Sequence, residues 1–200
     1  MAKDMETFII DRSKKWTVED YLQLEEDVKC EILDGELLMT PAPLISHQRT
    51  LASLYQQLIF FVNQQQAGEL FFAPVDVYFD RENVYQPDLV FVSAARSSIV
   101  QEKGIMGIPD LVVEVISPSN SYIDRYSKKA KYEQFGVKEY WIADPANQTL
   151  EIFALASSGN YELFLFLPQR GRVNSTVLSS LDFELSNVLD KPLLLIAVRF

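Results

Sequence analysis

The chain has 200 residues with 18 Lys+Arg against 28 Asp+Glu, a formal net charge of −10, and 48% hydrophobic residues. That length and balance describe one folded domain that buries roughly 70% of its unfolded surface without a disulfide or metal staple, and they exclude a disordered polypeptide. The sole cysteine, Cys30, excludes an internal disulfide framework and fits a reducing compartment, while the acidity argues against broad, charge-driven contact with nucleic acid.

Residues 1–16 contain only Phe8-Ile9-Ile10 as an apolar run, too short for a secretory signal. The apolar cluster LLLIAV (193–198) is far shorter than the ~18–20 residues of a membrane helix and reads as a terminal strand or an oligomer contact. A soluble, cytoplasmic protein without a membrane partner is expected.

In chain order, Thr17 followed by Asp20 has the form of a helix start, and the helix it opens is expected to run to about Lys29. EILDGELLM (31–39) reads as a hairpin around Asp34-Gly35, a pair that tolerates positive φ. Ser46 is expected to cap a second helix to about Gln66, with Leu51, Leu54, Leu58 and Phe61/Val62 at helical spacing. Strands are then expected over 70–79, 87–93 and 110–117. A polar helix over about 121–135 stops at Gly136, and strands follow over 139–143, 150–155 and 161–167. The last thirty residues read as loop with a short edge element. Helices first, then strands with one inserted helix, indicate an α/β (α+β) fold with a mixed sheet.

The most informative strand is 110–117. Leu111, Val112, Val113, Val115 and Ile116 mark it as buried on both faces, yet it carries Glu114. A carboxylate there is costly unless it is protonated, paired or bound to a metal; a structural ion pair or a solvent-reaching strand end is the alternative. Asp88 opens the neighbouring strand after Pro87, where turn chemistry alone would also explain it. Two strands bringing Asp88 and Glu114 to one sheet edge could share a hard cation such as Mg²⁺. Asp110 repeats the Pro-Asp-Leu-Val string of Asp88, but four residues of strand place it about 13 Å from Glu114, too far for one ion. Asp124, Lys128 and Tyr132 fall at i, i+4 and i+8 of the following helix, on one face, where a lysine could stabilise a phosphate transition state or orient a water. A solvated helix with an ordinary Asp–Lys pair is the plain alternative. Tyr140 and Trp141 alternate on their strand as core residues, and Cys30 has no neighbouring histidine to activate it.

Taken in order, QPDLVFV (86–92), PDLVVEVISPS (109–119), Asp124, Lys128, Tyr132, Gly136-Val137, EYWI (139–142) and Asp144-Pro145 resemble the large bacterial family named "putative restriction endonuclease", within the PD-(D/E)XK nuclease superfamily. CEILDGE (30–36) and Ser46-His47-Gln48 fit its N-terminal part, so the likeness spans about residues 16–190 of a single domain. The resemblance implies a restriction-endonuclease-like fold, a mixed central sheet flanked by helices with an N-terminal helix and hairpin. It also implies a Mg²⁺ (or Mn²⁺)-dependent endonuclease acting on DNA. By the same resemblance Asp88 and Glu114 are the motif acids and metal ligands, and Lys128 replaces the motif lysine, whose usual place is taken by Ile116. Glu31 becomes an additional acid near the metal, and His47 a support for phosphate or water. Asp76, a polar residue in an apolar strand, is a secondary candidate, and a homodimer is implied because two cuts need two sites.

Two other readings stay open. One is a catalytically inactive binding or regulatory module of the same fold; the other is a metal-dependent hydrolase of small phosphoesters, which suits an acidic surface. Over residues 124–138, Arg125, Lys128, Lys129, Lys131 and Lys138 outnumber Asp124 and Glu133, so this helix is expected to be the basic face turned to phosphate.

Overall fold

The computed structural model describes residues 14–25, 28–39, 42–117 and 121–189; the LLLIAV segment and the Pro118-Ser119 pair lie outside them. Thr17 caps the first helix, α1 (Val18–Tyr21), by a capping box in which Thr17 N donates to Asp20 Oδ2 at 3.1 Å and Asp20 N to Thr17 Oγ1 at 3.4 Å. The helix does not continue to Lys29. Gln23 and Leu24 bond back three residues, to Asp20 O and Tyr21 O, and this tightening turns the chain out of the α form. Strands β1 (Cys30–Leu33) and β2 (Glu36–Met39) then form the expected hairpin, with Asp34 and Gly35 at φ 52° and 77°.

Helix α2 (Ile45–Gln65) buries Leu51, Leu54, Leu58 and Val62 on one stripe, as their spacing predicts. Its cap is Leu44, extended and without a side-chain hydrogen bond, so Ser46 sits inside the first turn and does not cap it. The apolar run 70–79 divides into β3 (Gly68–Phe72) and β4 (Val77–Asp80), which lie in different sheets. Pro74 supplies no N–H to prolong the ladder, and the chain crosses over at that point. Gly68 allows β3 to close on its neighbour, since a Cβ there would meet Val92 O at 2.1 Å.

Strands β5 (Asn83–Tyr85) and β6 (Leu89–Ser93), a 3₁₀ turn (Ala94–Ile99), β7 (Val100–Gln101), β8 (Gly104–Met106) and β9 (Leu111–Val115) follow. The inserted helix is wound as π over Ile123–Lys128 and continues as α3 (Lys129–Phe135), ending at the left-handed Gly136. Strands β10 (Glu139–Asp144), β11 (Thr149–Leu155) and β12 (Tyr161–Pro168) form the meander, and β13 (Arg172–Val173), β14 (Phe183–Glu184) and α4 (Ser186–Leu189) close the described chain. Short β5, β7 and β8 were not legible, because three residues or fewer give no periodicity to read.

The central sheet has the order β12-β11-β10-β9-β6-β3, with β9 and β10 parallel and every other neighbour antiparallel. Leu111, Val113 and Val115 point to α2 and join its core with Leu89, Phe91 and Trp141. Val112 and Ile116 point to the other face, against Tyr132, Tyr140 and Ile142. By alternation Glu114 faces the π/α3 helix with Val112 and Ile116, and the strand is apolar on both faces because α2 covers one and this helix the other. A second sheet, β2-β1-β5-β4-β8-β7, brings β1 alongside. This is a mixed α+β architecture, as the order of elements predicts. No helix among the described residues is long and apolar enough to cross a membrane.

Candidate active site

Leu89 pairs with Val113, Val90 with Val112 and Phe91 with Leu111, so the antiparallel register brings Asp88, one residue before β6, opposite Glu114 on the same face. The Val115 amide donates to Asp88 Oδ2 at 2.7 Å, and His47 Nε2, in the first turn of α2, lies 3.1 Å from the same oxygen. Burial pulls the imidazole down, but the hydrogen bond and charge of Asp88 outweigh it and hold the His47 pKa above its ordinary value. His47 Nδ1 is buried and has no hydrogen-bond partner.

Glu114 is 4% exposed and accepts two hydrogen bonds on Oε1, from Lys128 Nζ at 2.9 Å and Tyr132 O–H at 2.8 Å. Lys128 Nζ also donates to Glu31 Oε1 at 2.9 Å, and Asp124 Oδ1 is 3.9 Å away. Glu31 comes from β1 in the second sheet and is held by the Gln86 amide at 2.6 Å. The Tyr140 hydroxyl, from β10, donates to the Asp124 carbonyl at 3.0 Å and fixes the π turn. Asp88, Glu114, Lys128, Glu31, His47, Asp124 and Tyr132 are therefore brought together from five separate stretches of chain.

The electrostatics are unbalanced. The carboxyls of Glu31, Glu114 and Asp124 lie around the Lys128 ammonium, and Asp88 stands beside His47, whose imidazole can add positive charge. Burial raises the Glu114 carboxyl well above the usual range; Lys128 opposes this, but Asp124, Asp88 and Glu31 reinforce it. Burial, with the charges of Glu31 and Asp88, pushes Asp124 up to about 6 against the pull of Lys128. Burial alone would lower Lys128, yet Glu114, Glu31 and Asp124 hold it well above its ordinary value, so it stays protonated.

Such a cluster fits a divalent cation by its donor chemistry. Among the described residues, the side-chain hydrogen bonds of Asp88 fall on Oδ2 and those of Glu114 on Oε1, so the second oxygen of each faces no donor among them. Among the described residues no three His, Cys, Asp or Glu side chains form a ready-made metal cage. Mg²⁺ does not need one, because it is commonly held by one or two carboxylates, waters and substrate phosphate.

Two expectations, Asp76 and the basic face of 124–138, are placed differently, while Asp110 stands apart from Glu114 as its spacing predicts. Asp76 does not join the cluster: its Oδ1 accepts from Tyr21 O–H and Gln86 Nε2 and its Oδ2 from Tyr78 O–H, so it touches the site only through Gln86. Asp110 lies at the opposite end of β9, held by the Ser93 amide, Arg96 and Lys138. The segment 124–138 is not a free basic face. Arg125 pairs with Asp144 and Glu151, Lys131 with Asp34 and Lys138 with Asp110, while Lys129 lies over the Phe153 ring. Gln86 and Tyr140 are site residues that sequence reasoning missed. Gln86 acts through its backbone amide, and Tyr140 is at once a core ring and a hydrogen-bond donor. Cys30 is buried, and burial with the Asp76 and Glu31 charges pushes its thiol up to about 11, which agrees with no nucleophilic role.

Residues 18–187 match the family described as "Uma2: Putative restriction endonuclease". Among solved structures, the chain is similar to a protein described as a putative nuclease belonging to DUF820 from Anabaena variabilis ATCC 29413, with a TM-score of 0.69 and 18% identity over 87% of this chain and 97% of that one. At that identity the likeness concerns the fold. No curated protein matches the chain.

Proposed function

Since the chain belongs to the Uma2 putative restriction endonuclease family, we propose that it is a Mg²⁺- or Mn²⁺-dependent endonuclease that hydrolyses DNA phosphodiester bonds. The observation that carries this reading is the pairing of Asp88 and Glu114 across neighbouring strands, each with one oxygen that meets no donor among the described residues, beside the buried ammonium of Lys128.

Asp88 and Glu114 would hold the cation, which when bound neutralises phosphate charge and acidifies water. His47 and the Val115 amide fix the Asp88 carboxylate through Oδ2. Tyr132 and Lys128 fix Glu114 through Oε1. Lys128 has three N–H donors, of which Glu31 and Glu114 take two. The third is available to a phosphoryl oxygen, where a fixed, desolvated cation stabilises developing negative charge. Glu31 and Asp124 keep Lys128 protonated and aimed. A homodimer belongs to the same reading, supported by the edge strand β12, which exposes Leu163, Phe164 and Phe166.

The test is plasmid cleavage. Nicking or linearisation in Mg²⁺ or Mn²⁺, abolished by chelator, is expected; hydrolysis of a chromogenic phosphodiester with plasmid untouched would point instead to small phosphoesters. The engagement of Lys128 with two carboxylates favours one rival, a non-catalytic module. Titration calorimetry separates it, since a module without the activity need not bind Mg²⁺ or Mn²⁺ tightly.

A further inference from the structure

Gln86 stands where the chain passes from β5 of the second sheet to β6 of the central sheet. Its backbone amide donates to Glu31 Oε1 at 2.6 Å, the same oxygen that accepts from Lys128 Nζ at 2.9 Å. Its side chain is committed to other partners. Nε2 donates to Asp76 Oδ1 at 2.8 Å and to the Tyr21 hydroxyl at 3.2 Å, and that hydroxyl donates to the same Asp76 oxygen at 2.9 Å. The second Asp76 oxygen accepts from the Tyr78 hydroxyl at 3.1 Å. Gln86, Asp76 and Tyr21 thus close a ring of hydrogen bonds drawn from the crossover, the segment before β4 and the end of α1. Packing alone does not hold the Gln86 side chain, which is half-buried and lines, with Asp76, Val75 and Gly104, a cleft of about 470 Å³. The carboxylate of Asp76 makes the bonds to it charge-assisted and therefore stronger than neutral ones. Pro87 follows directly and restricts the Gln86 backbone to extended conformations. Anchoring the side chain therefore leaves the amide little freedom of direction.

We propose that Gln86 is a positioning residue for phosphodiester cleavage: clamped by Asp76 and Tyr21, it aims Glu31 Oε1 and thereby the Lys128 ammonium at the reacting phosphate. The inference rests on the nuclease reading and gives a task in it to Asp76, which itself stays outside the acid cluster. Glu31 Oε1 receives one donor from each side, the Gln86 amide from the crossover and Lys128 from the π turn. If the clamp is lost, the amide shifts, Glu31 follows it, and Lys128 is left aimed by Glu114 alone. Misplacing a charged group in this way by a fraction of an ångström lowers the rate of the chemical step without removing any group that meets substrate.

The experiment is steady-state cleavage of a fluorogenic DNA duplex in Mg²⁺ by the full chain, with each variant at verified fold. Gln86→Met keeps the amide and the side-chain length and removes both side-chain bonds; its kcat is expected to fall roughly 10- to 100-fold, with KM for DNA within about 2-fold of wild type. Tyr21→Phe, which removes one hydroxyl, should lie between the two. Asp76→Ala should match Gln86→Met, and Asp76→Asn, whose amide oxygen can still accept from Gln86 and Tyr21, should recover most of the lost rate. Asp110→Asn, in the polar network at the far end of β9, should keep the wild-type kcat. A double-mutant cycle reads the path: beside Glu31→Ala, where the receiving carboxylate is gone, Gln86→Met should cost little further rate. Wild-type cleavage with kcat kept in Gln86→Met, or with the full cost of Gln86→Met retained beside Glu31→Ala, overturns this assignment and leaves the nuclease reading standing. Absence of cleavage by the wild type overturns both.

Discussion

Lys128 Nζ lies 2.9 Å from Glu114 Oε1, although fourteen residues and the passage from a strand to a helix separate them. Ile116, two residues after Glu114 on the same strand, is buried in the core against Tyr132 and Tyr140. The helix thus delivers to Glu114 the ammonium that the strand does not. Removing Lys128 leaves Glu31 and Glu114 facing each other without a cation, so Lys128→Ala is expected to cost about 3–5 kcal/mol in a urea titration. Glu114→Gln keeps an acceptor for Lys128 and Tyr132 and removes one of the mutually repelling carboxylates, so its cost should be below about 1 kcal/mol.

A cluster with surplus negative charge should be stabilised by a divalent cation. At a Mg²⁺ concentration a hundredfold above the dissociation constant, mass action contributes about 2.7 kcal/mol, or roughly 5–10 °C in Tm for a chain of this size. Differential scanning fluorimetry should show that rise for the wild type and lose it in Asp88→Asn and Glu114→Gln. An equal rise in all three would place the ion elsewhere.

Asp110 carries the same local string as Asp88 and a different task. Burial raises its carboxyl, but the hydrogen bonds from Lys138 and Ser93 outweigh this and hold it below the usual range. A depressed carboxylate contributes stability above its unfolded value, near pH 4, and that contribution is lost as pH falls through the lower folded value. Asp110→Asn should therefore destabilise the protein by about 1–3 kcal/mol at pH 7, with the deficit shrinking as pH falls below about 4, and should leave cleavage intact. Acid titration of both proteins by circular dichroism checks this.

Glu139 is fully buried and accepts from the Trp141 indole N–H and from the Thr176 and Val177 amides. It fastens the segment before β14 to the end of β10. Glu139→Ala strands those donors and should cost about 3 kcal/mol or more, read as a lower urea midpoint with no change in Mg²⁺ affinity.

Much of this was legible because the decisive residues break a local rule. Glu114 stands out in an apolar strand, Asp34-Gly35 in a hairpin and Gly136 at a helix end, and each is where its chemistry requires. Seven of the eight named candidates converge, while Asp76 is drawn off by Tyr21 and Tyr78. What sequence could not give was pairing at a distance. The basic look of residues 124–138 dissolves once Asp34, Asp110, Asp144 and Glu151 are seen against it, because ion pairs between remote elements leave no periodic trace. The end of α1, set by three-residue bonds at Gln23 and Leu24, and the division of 70–79 at Pro74 are local features that the apolar pattern hid.

The central claim, that Asp88 and Glu114 form a cation site for phosphodiester cleavage, is tested most directly by incubating supercoiled plasmid and Mg²⁺ with wild type and Glu114→Gln at matched, verified fold. The account predicts nicked or linear product from the wild type and a loss of at least ~100-fold in rate from the variant, the scale of a removed transition-state interaction. Equal cleavage by both proteins would contradict it.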